Sequence, residues 1–259
     1  MDLIKSVTRR SRVSEIIYTF LNLAYAGLLL FLVQSFDPPY IAFLVVAMSK
    51  WRVFAVRPRF WFANLQANLI DTIVGLSTVT LLWAATGQGA VQFAIAAAFA
   101  VWLLVVKPRS KRIWVLLQAG IGQFVGLMAL FTVAYAAPVL IVTAAAWLIG
   151  FAAARHMLSS YDSETERTLL ALIWGFVIAE LSWLSYHWTI AYTLSGELKM
   201  PQVALVAAAF GFVAVRFYDN HHRHHGTIKA QELRWPTVFA CVLILLLLLR
   251  FSGLDTSQL

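Results

Sequence analysis

Cysteine occurs once, at position 241, and charged residues make up only 12% of the 259. A lone thiol cannot close an intrachain disulfide, so no disulfide scaffold holds this chain together, and the redox compartment stays unread. The scarcity of charge excludes more. A soluble domain is about a quarter charged and about half apolar, whereas 61% of these residues are hydrophobic. In water so much apolar surface would gather into patches far larger than monomers tolerate, and a bilayer is the simplest solvent for it. Also missing are a glycine-rich phosphate loop, a serine-nucleophile elbow and a paired-histidine zinc helix. With no soluble segment long enough to hydrolyse a nucleotide, a self-contained primary pump is disfavoured. Enzymatic activity is not the leading expectation, and no cofactor is expected.

The last shortage is of positive charge, and it is one-sided. A helix rises about 1.5 Å per residue and the hydrocarbon core is about 30 Å thick, so a crossing takes roughly 17 to 25 mostly apolar residues. Nine segments qualify: 15–35, 40–56, 61–85, 90–106, 113–135, 138–155, 168–193, 201–216 and 235–253. With the N-terminus in the cytoplasm, every Lys and Arg of the 20 except Lys199 and Arg250 falls on the cytoplasmic side. Insertion retains such residues there, so the pattern fixes class and orientation together. The expectation is an all-α, polytopic transmembrane bundle of about nine spans in the cell membrane, N-terminus cytoplasmic and C-terminus outside, forming a single domain over 1–259.

The second span is its weakest element, because Lys50 and Arg52 interrupt it. Near the cytoplasmic end their stems can snorkel to the headgroups, which keeps it a crossing. The apolar run after Lys5, Arg9, Arg10 and Arg12 is longer than a signal core and lacks a clear cleavage site, so it reads as a retained first helix. Trp51, Trp61, Trp102, Trp114 and Trp235 gather at one proposed interface, and Tyr40, Trp83, Tyr135, Trp188 and Tyr192 at the other. The formal charge is +8, but the basic residues flank spans, so the expected surroundings are the lipid bilayer and not nucleic acid. Val56-Arg57-Pro58-Arg59 is echoed by Val106-Lys107-Pro108-Arg109, an offset that hints at a duplicated hairpin, 40–85 and 90–135.

Small residues at i and i+4, such as Ala146, Gly150 and Ala154, or Ala204 and Ala208 with Ala207 and Gly211, let helices approach closely in lipid. Polar residues form stripes instead. Asn64, Asn68, Asp71, Gly75 and Thr78 share one face of the third span, Gln118, Gly122 and Gly126 one face of the fifth, and Glu180, Trp183 and His187 one face of the seventh. Asp71 and Glu180 lie near half-depth, where an acidic residue costs about 2.5–3.5 kcal/mol on insertion scales. No Lys or Arg lies deep in the middle spans, which argues against a simple buried ion pair.

The functional reading is a small-solute or ion transporter or channel, with Asp71 and Glu180 titrating and Asn64, Asn68, Gln118 and His187 relaying or coordinating. The plainer reading makes the carboxyls neutral glue between helices in a non-catalytic scaffold or assembly subunit with a protein partner. A third is a metal-dependent lipid-modifying enzyme, using His221, His222, His224, His225 and Asp219 as ligands. Against it, the histidines lack paired helical spacing and Arg223 stands among them. Ser163 with Glu166 has the spacing of a capping box for the seventh helix.

Overall fold

The computed structural model describes residues 12–134, 137–161, 164–188, 190–195, 198–224 and 226–251. Among these, eight helices are long and apolar enough to cross a bilayer, which makes the chain a multi-pass membrane protein by helix length and composition. The chain divides into two compact units, Met1–Gln118 and Ala119–Leu259.

The first unit contains α1 (Arg12–Ser35), α2 (Tyr40–Met48), two 3-10 turns (Trp51–Val53 and Pro58–Phe60), α3 (Trp61–Ala84), α4 (Gly89–Val101) and a π-helical continuation, Trp102–Val106. Its centre is α3, which packs against α1, α2 and α4 and is buried from Ile70 through most positions to Leu82. Gly75 makes the α2 contact possible: a Cβ there would lie 2.9 Å from Val46 Cγ1, closer than any real side chain packs. Near the α3–α4 turn, buried Gln92 ties three helices together. Its amide donates to the Leu82 carbonyl at 3.0 Å, and its oxygen accepts from Gln34 of α1 at 3.1 Å.

The second segment departs from the expected span 40–56. Its helix stops after nine residues, because Ser49 turns its hydroxyl back onto the Val46 carbonyl at 2.7 Å and competes with the helical ladder. Lys50 and the 3-10 turn Trp51–Val53 follow. The fourth segment loses its regularity too. At Trp102 the ladder widens, and the Lys107 N–H reaches back five residues to the Trp102 carbonyl at 2.9 Å. Such π segments are rare and concentrate at functional sites.

The second unit holds most of α5 (Arg112–Val133), within which the boundary falls, together with α6 (Val139–Leu158), α7 (Arg167–His187), β1 (Ala191–Ser195), β2 (Leu198–Pro201), α8 (Gln202–Arg223) and α9 (Ala230–Phe251). Helices α6 and α7 are its closest-packed pair. A Cβ on Gly150 would sit 2.8 Å from Ile178 Cβ, and one on Gly175 would sit 3.0 Å from the Trp147 ring nitrogen. The alanine and glycine stripe of α6 therefore works as close packing inside the unit: Ala146 and Ala154 are buried on this face.

Helix α7 ends at His187, short of the expected 193, and Ala191–Ser195 pairs antiparallel with Leu198–Pro201, Tyr192 opposite Met200. The Ser163 cap and Tyr135 of the aromatic belt lie outside the described residues. Trp102 corrects the belt: it is 5% exposed, an interior residue and not an interfacial anchor, whereas Trp51, Trp61 and Trp235 are exposed.

Candidate functional site

Asp71 lies thirteen residues from each end of the span Pro58–Ala84, the middle of that helix by residue count. Its surroundings differ from expectation. Lys50 donates to Oδ2, and Lys107 Nζ forms an ion pair with the same oxygen at 2.8 Å. The Trp102 indole N–H approaches Oδ1 at 3.4 Å. The carboxylate is 13% exposed and the two ammonium side chains 17% and 39%. A buried carboxyl is tolerable only when paired and hydrogen-bonded, and this one has two lysines and an indole.

The absence of deep basic residues thus does not isolate Asp71, because both lysines enter from helix interruptions. Residues 50 and 71 lie symmetrically about the joint at 60 and 61, and so do Val46 and Gly75, which also meet. The chain from α2 to residue 60 therefore runs antiparallel along the first half of α3. The α2 helix ends just where Lys50 must turn toward Asp71. Lys107 closes the π segment, and Trp102 opens it. Tyr18 of α1 braces that segment by donating to the Leu103 carbonyl at 3.2 Å.

The remaining sequence candidates divide. Asn68 spends its amide on the Asn64 carbonyl at 2.9 Å, within its own helix. Gln118 is buried and donates to the carbonyls of Val106 at 2.7 Å and Arg109 at 2.9 Å. It thereby caps the end of the π segment. Glu180 lies on an exposed face of α7, one helical turn from exposed Trp183. His187 ends that helix with its ring edge-on to Trp183 and Tyr186 at 4.9 and 5.5 Å. Asp71 and Glu180 belong to different units, and each is described within its own.

In the second unit, Gln123 joins three helices. Its amide donates to the Ala207 carbonyl of α8 at 3.1 Å, and its oxygen accepts from the Trp174 indole of α7 at 2.7 Å.

The histidine segment is structured. His221 and His222 continue α8. His222 stands edge-on to the Tyr161 ring at 5.2 Å and stacks on that of Tyr218 at 6.0 Å, while His224 Nε2 lies 3.0 Å from Glu232. Tyr161 donates to Asp219, whose other oxygen lies 3.5 Å from Arg223. Tyr218 donates to Glu164, and that hydroxyl is the main cause holding the Glu164 carboxyl below the usual carboxylate range. His225 lies outside the described residues. Among the described residues no three of His, Cys, Asp or Glu converge as a metal site.

Sequence reasoning missed Lys50, Trp102 and Lys107 as partners of Asp71. The usable signal was geometric: an antiparallel hairpin closing near residue 60 places positions 50 and 71 opposite each other. No signal in the sequence announces the π segment that brings Trp102 and Lys107 inward. No known protein family matches the chain, and neither does any curated protein or any solved structure.

Proposed function

We propose that this multi-pass membrane protein moves a small solute or ion across the cell membrane, with Asp71 as the coupling group. The reading rests on one observation: a carboxylate at the middle of a span is held by Lys50 and Lys107, each at an interruption of its helix. Intramembrane ionisable residues mark ion and proton pathways, and interrupted helices mark transporter binding sites. Two lysines share this one carboxylate. A proton or metal cation arriving at Asp71 competes with the lysines for the carboxylate, and Lys107 is the more exposed of the two.

In this proposal residues 40–60 make a broken second crossing, which keeps nine crossings, the N-terminus inside and the C-terminus outside. Glu180 of the second unit serves as the second titrating group, and His187 as a relay near the outer face. Asn64, Asn68 and Gln118 support the first site through their helices.

The test is flux in vesicles reconstituted with the full chain, read as potential-driven proton entry by a trapped pH-sensitive dye. Asp71→Asn combined with Glu180→Gln is expected to abolish entry while the protein still elutes as a folded species. Undiminished entry in the double variant overturns the mechanism. Loss of a co-purifying partner with no flux in either protein would favour the assembly-subunit reading, which the amide staples of Gln118 and Gln123 support.

A further inference from the structure

A cleft of about 60 Å³ opens between α8 and α9, lined by Arg216, Asp219, Asn220, Arg223, Glu232 and Leu233 with Pro236 at its edge. On the scale where one water needs about 15 Å³, that is room for roughly four waters or one phosphate group. We propose that it binds the phosphate of a membrane phospholipid headgroup.

Hydrogen-bond accounting carries the argument. The side-chain acceptors of the cleft are engaged within the fold. Asp219 takes the Tyr161 hydroxyl and a 3.5 Å contact from Arg223. Glu232 takes the Asn220 amide at 3.0 Å and His224 at 3.0 Å. Asn220 accepts the Lys229 backbone N–H at 2.8 Å. Donors, by contrast, are in surplus. Among the described residues the Arg216 guanidinium meets only the Phe212 ring of its own helix, at 5.3 Å. Arg223 makes only that long contact to Asp219, and its side chain is 58% exposed. A guanidinium carries five N–H donors and no acceptor, in a fork that matches phosphate oxygens. What completes such a cleft is an acceptor-rich anion.

Position selects the lipid over a free ion. The cleft sits at the hairpin end of two membrane-length helices, with Arg216 seven residues, about 10 Å, before the end of α8. Along α9, Trp235, Val238, Val242, Leu245 and Leu249 are exposed and face acyl chains once the helix is in a bilayer. A phospholipid lying on this helix brings its phosphate to the hairpin end. From 216 to 234 the hairpin carries Arg216, Arg223, Lys229 and Arg234 against Asp219 and Glu232, which favours an acidic headgroup.

The full chain, delipidated in mild detergent and titrated with phosphatidylglycerol, is expected to retain one lipid per chain by native mass spectrometry. Arg216→Gln should lower that occupancy about tenfold, as loss of a charged hydrogen-bonding pair does, and Arg223→Gln should lower it as well. Arg216→Lys should fall between, and Arg234→Gln, outside the cleft, should match the wild type. Arg223→Gln removes only one long contact, so it decides the matter if the Arg216 variant does not fold. Wild-type retention in the folded Arg223 variant, or in both, overturns the site. Displacement of the lipid by equimolar inorganic phosphate overturns the lipid assignment in favour of a soluble anion.

Discussion

At the scale of single residues, Asp71 shows how a carboxylate within a membrane-length helix is paired. Lys50 and Asp71 are both mostly buried; removing Asp71 strands Lys50, while removing Lys50 leaves the carboxylate on Lys107 alone. Breaking a buried pair this way costs about 3–5 kcal/mol, whereas removing both ends costs much less. Thermal unfolding in detergent should therefore place Lys50→Gln and Asp71→Asn each well below the wild type, with the double variant clearly more stable than the summed losses require. Lys107→Gln should cost less than Lys50→Gln, since its side chain is more exposed. Strict additivity across the Lys50 and Asp71 cycle would mean that the two groups do not pair in the membrane.

At the scale of helices, small residues decide which pairs come close. Gly150 faces Ile178 with no room for a methyl, while Gly27 of α1 has open space where its Cβ would be. Gly150→Ala should lower the unfolding midpoint by the roughly 1–3 kcal/mol typical of overpacking, and Gly27→Ala should leave it unchanged or raise it slightly. Equal effects would show that the α6–α7 contact is looser than drawn. This part of the fold was legible in advance: Ala146, Gly150 and Ala154 announced a packing face by spacing alone. The hydrophobic runs likewise located the eight long helices, because length and composition are local properties. What stayed hidden depended on tertiary context. The stop after Met48 follows from a serine turning onto its own helix, the π segment at Trp102 from an extra residue in a regular-looking run, and the Trp102 indole was misplaced because interfacial and buried tryptophans share one composition. Asp71 was recognisable by its cost in lipid; its lysines were not, since they approach from segment ends.

At the scale of the molecule, the broken second segment decides the threading of everything after it. If residues 40–60 cross, Thr86 and Lys199 lie outside, and Lys111 and Lys229 inside with the other basic loops, as charge retention requires. If that segment enters and returns to the same face, all eight long helices still cross but every later loop changes sides, and Lys107, Arg109, Lys111 and Arg112 would have been carried outward together. Translocating four such charges in one short loop is strongly disfavoured. A broken crossing would account for both the charge distribution and the antiparallel course of Val46 and Lys50 along α3. Single cysteines at 86, 111, 199 and 229 in a Cys241→Ser background test it with a membrane-impermeant maleimide on intact cells. Labelling at 86 and 199, with 111 and 229 reactive only after permeabilisation, is the expected pattern. Its inverse would make the second segment re-entrant, which would leave Asp71 and its lysines beneath a loop open to one face only.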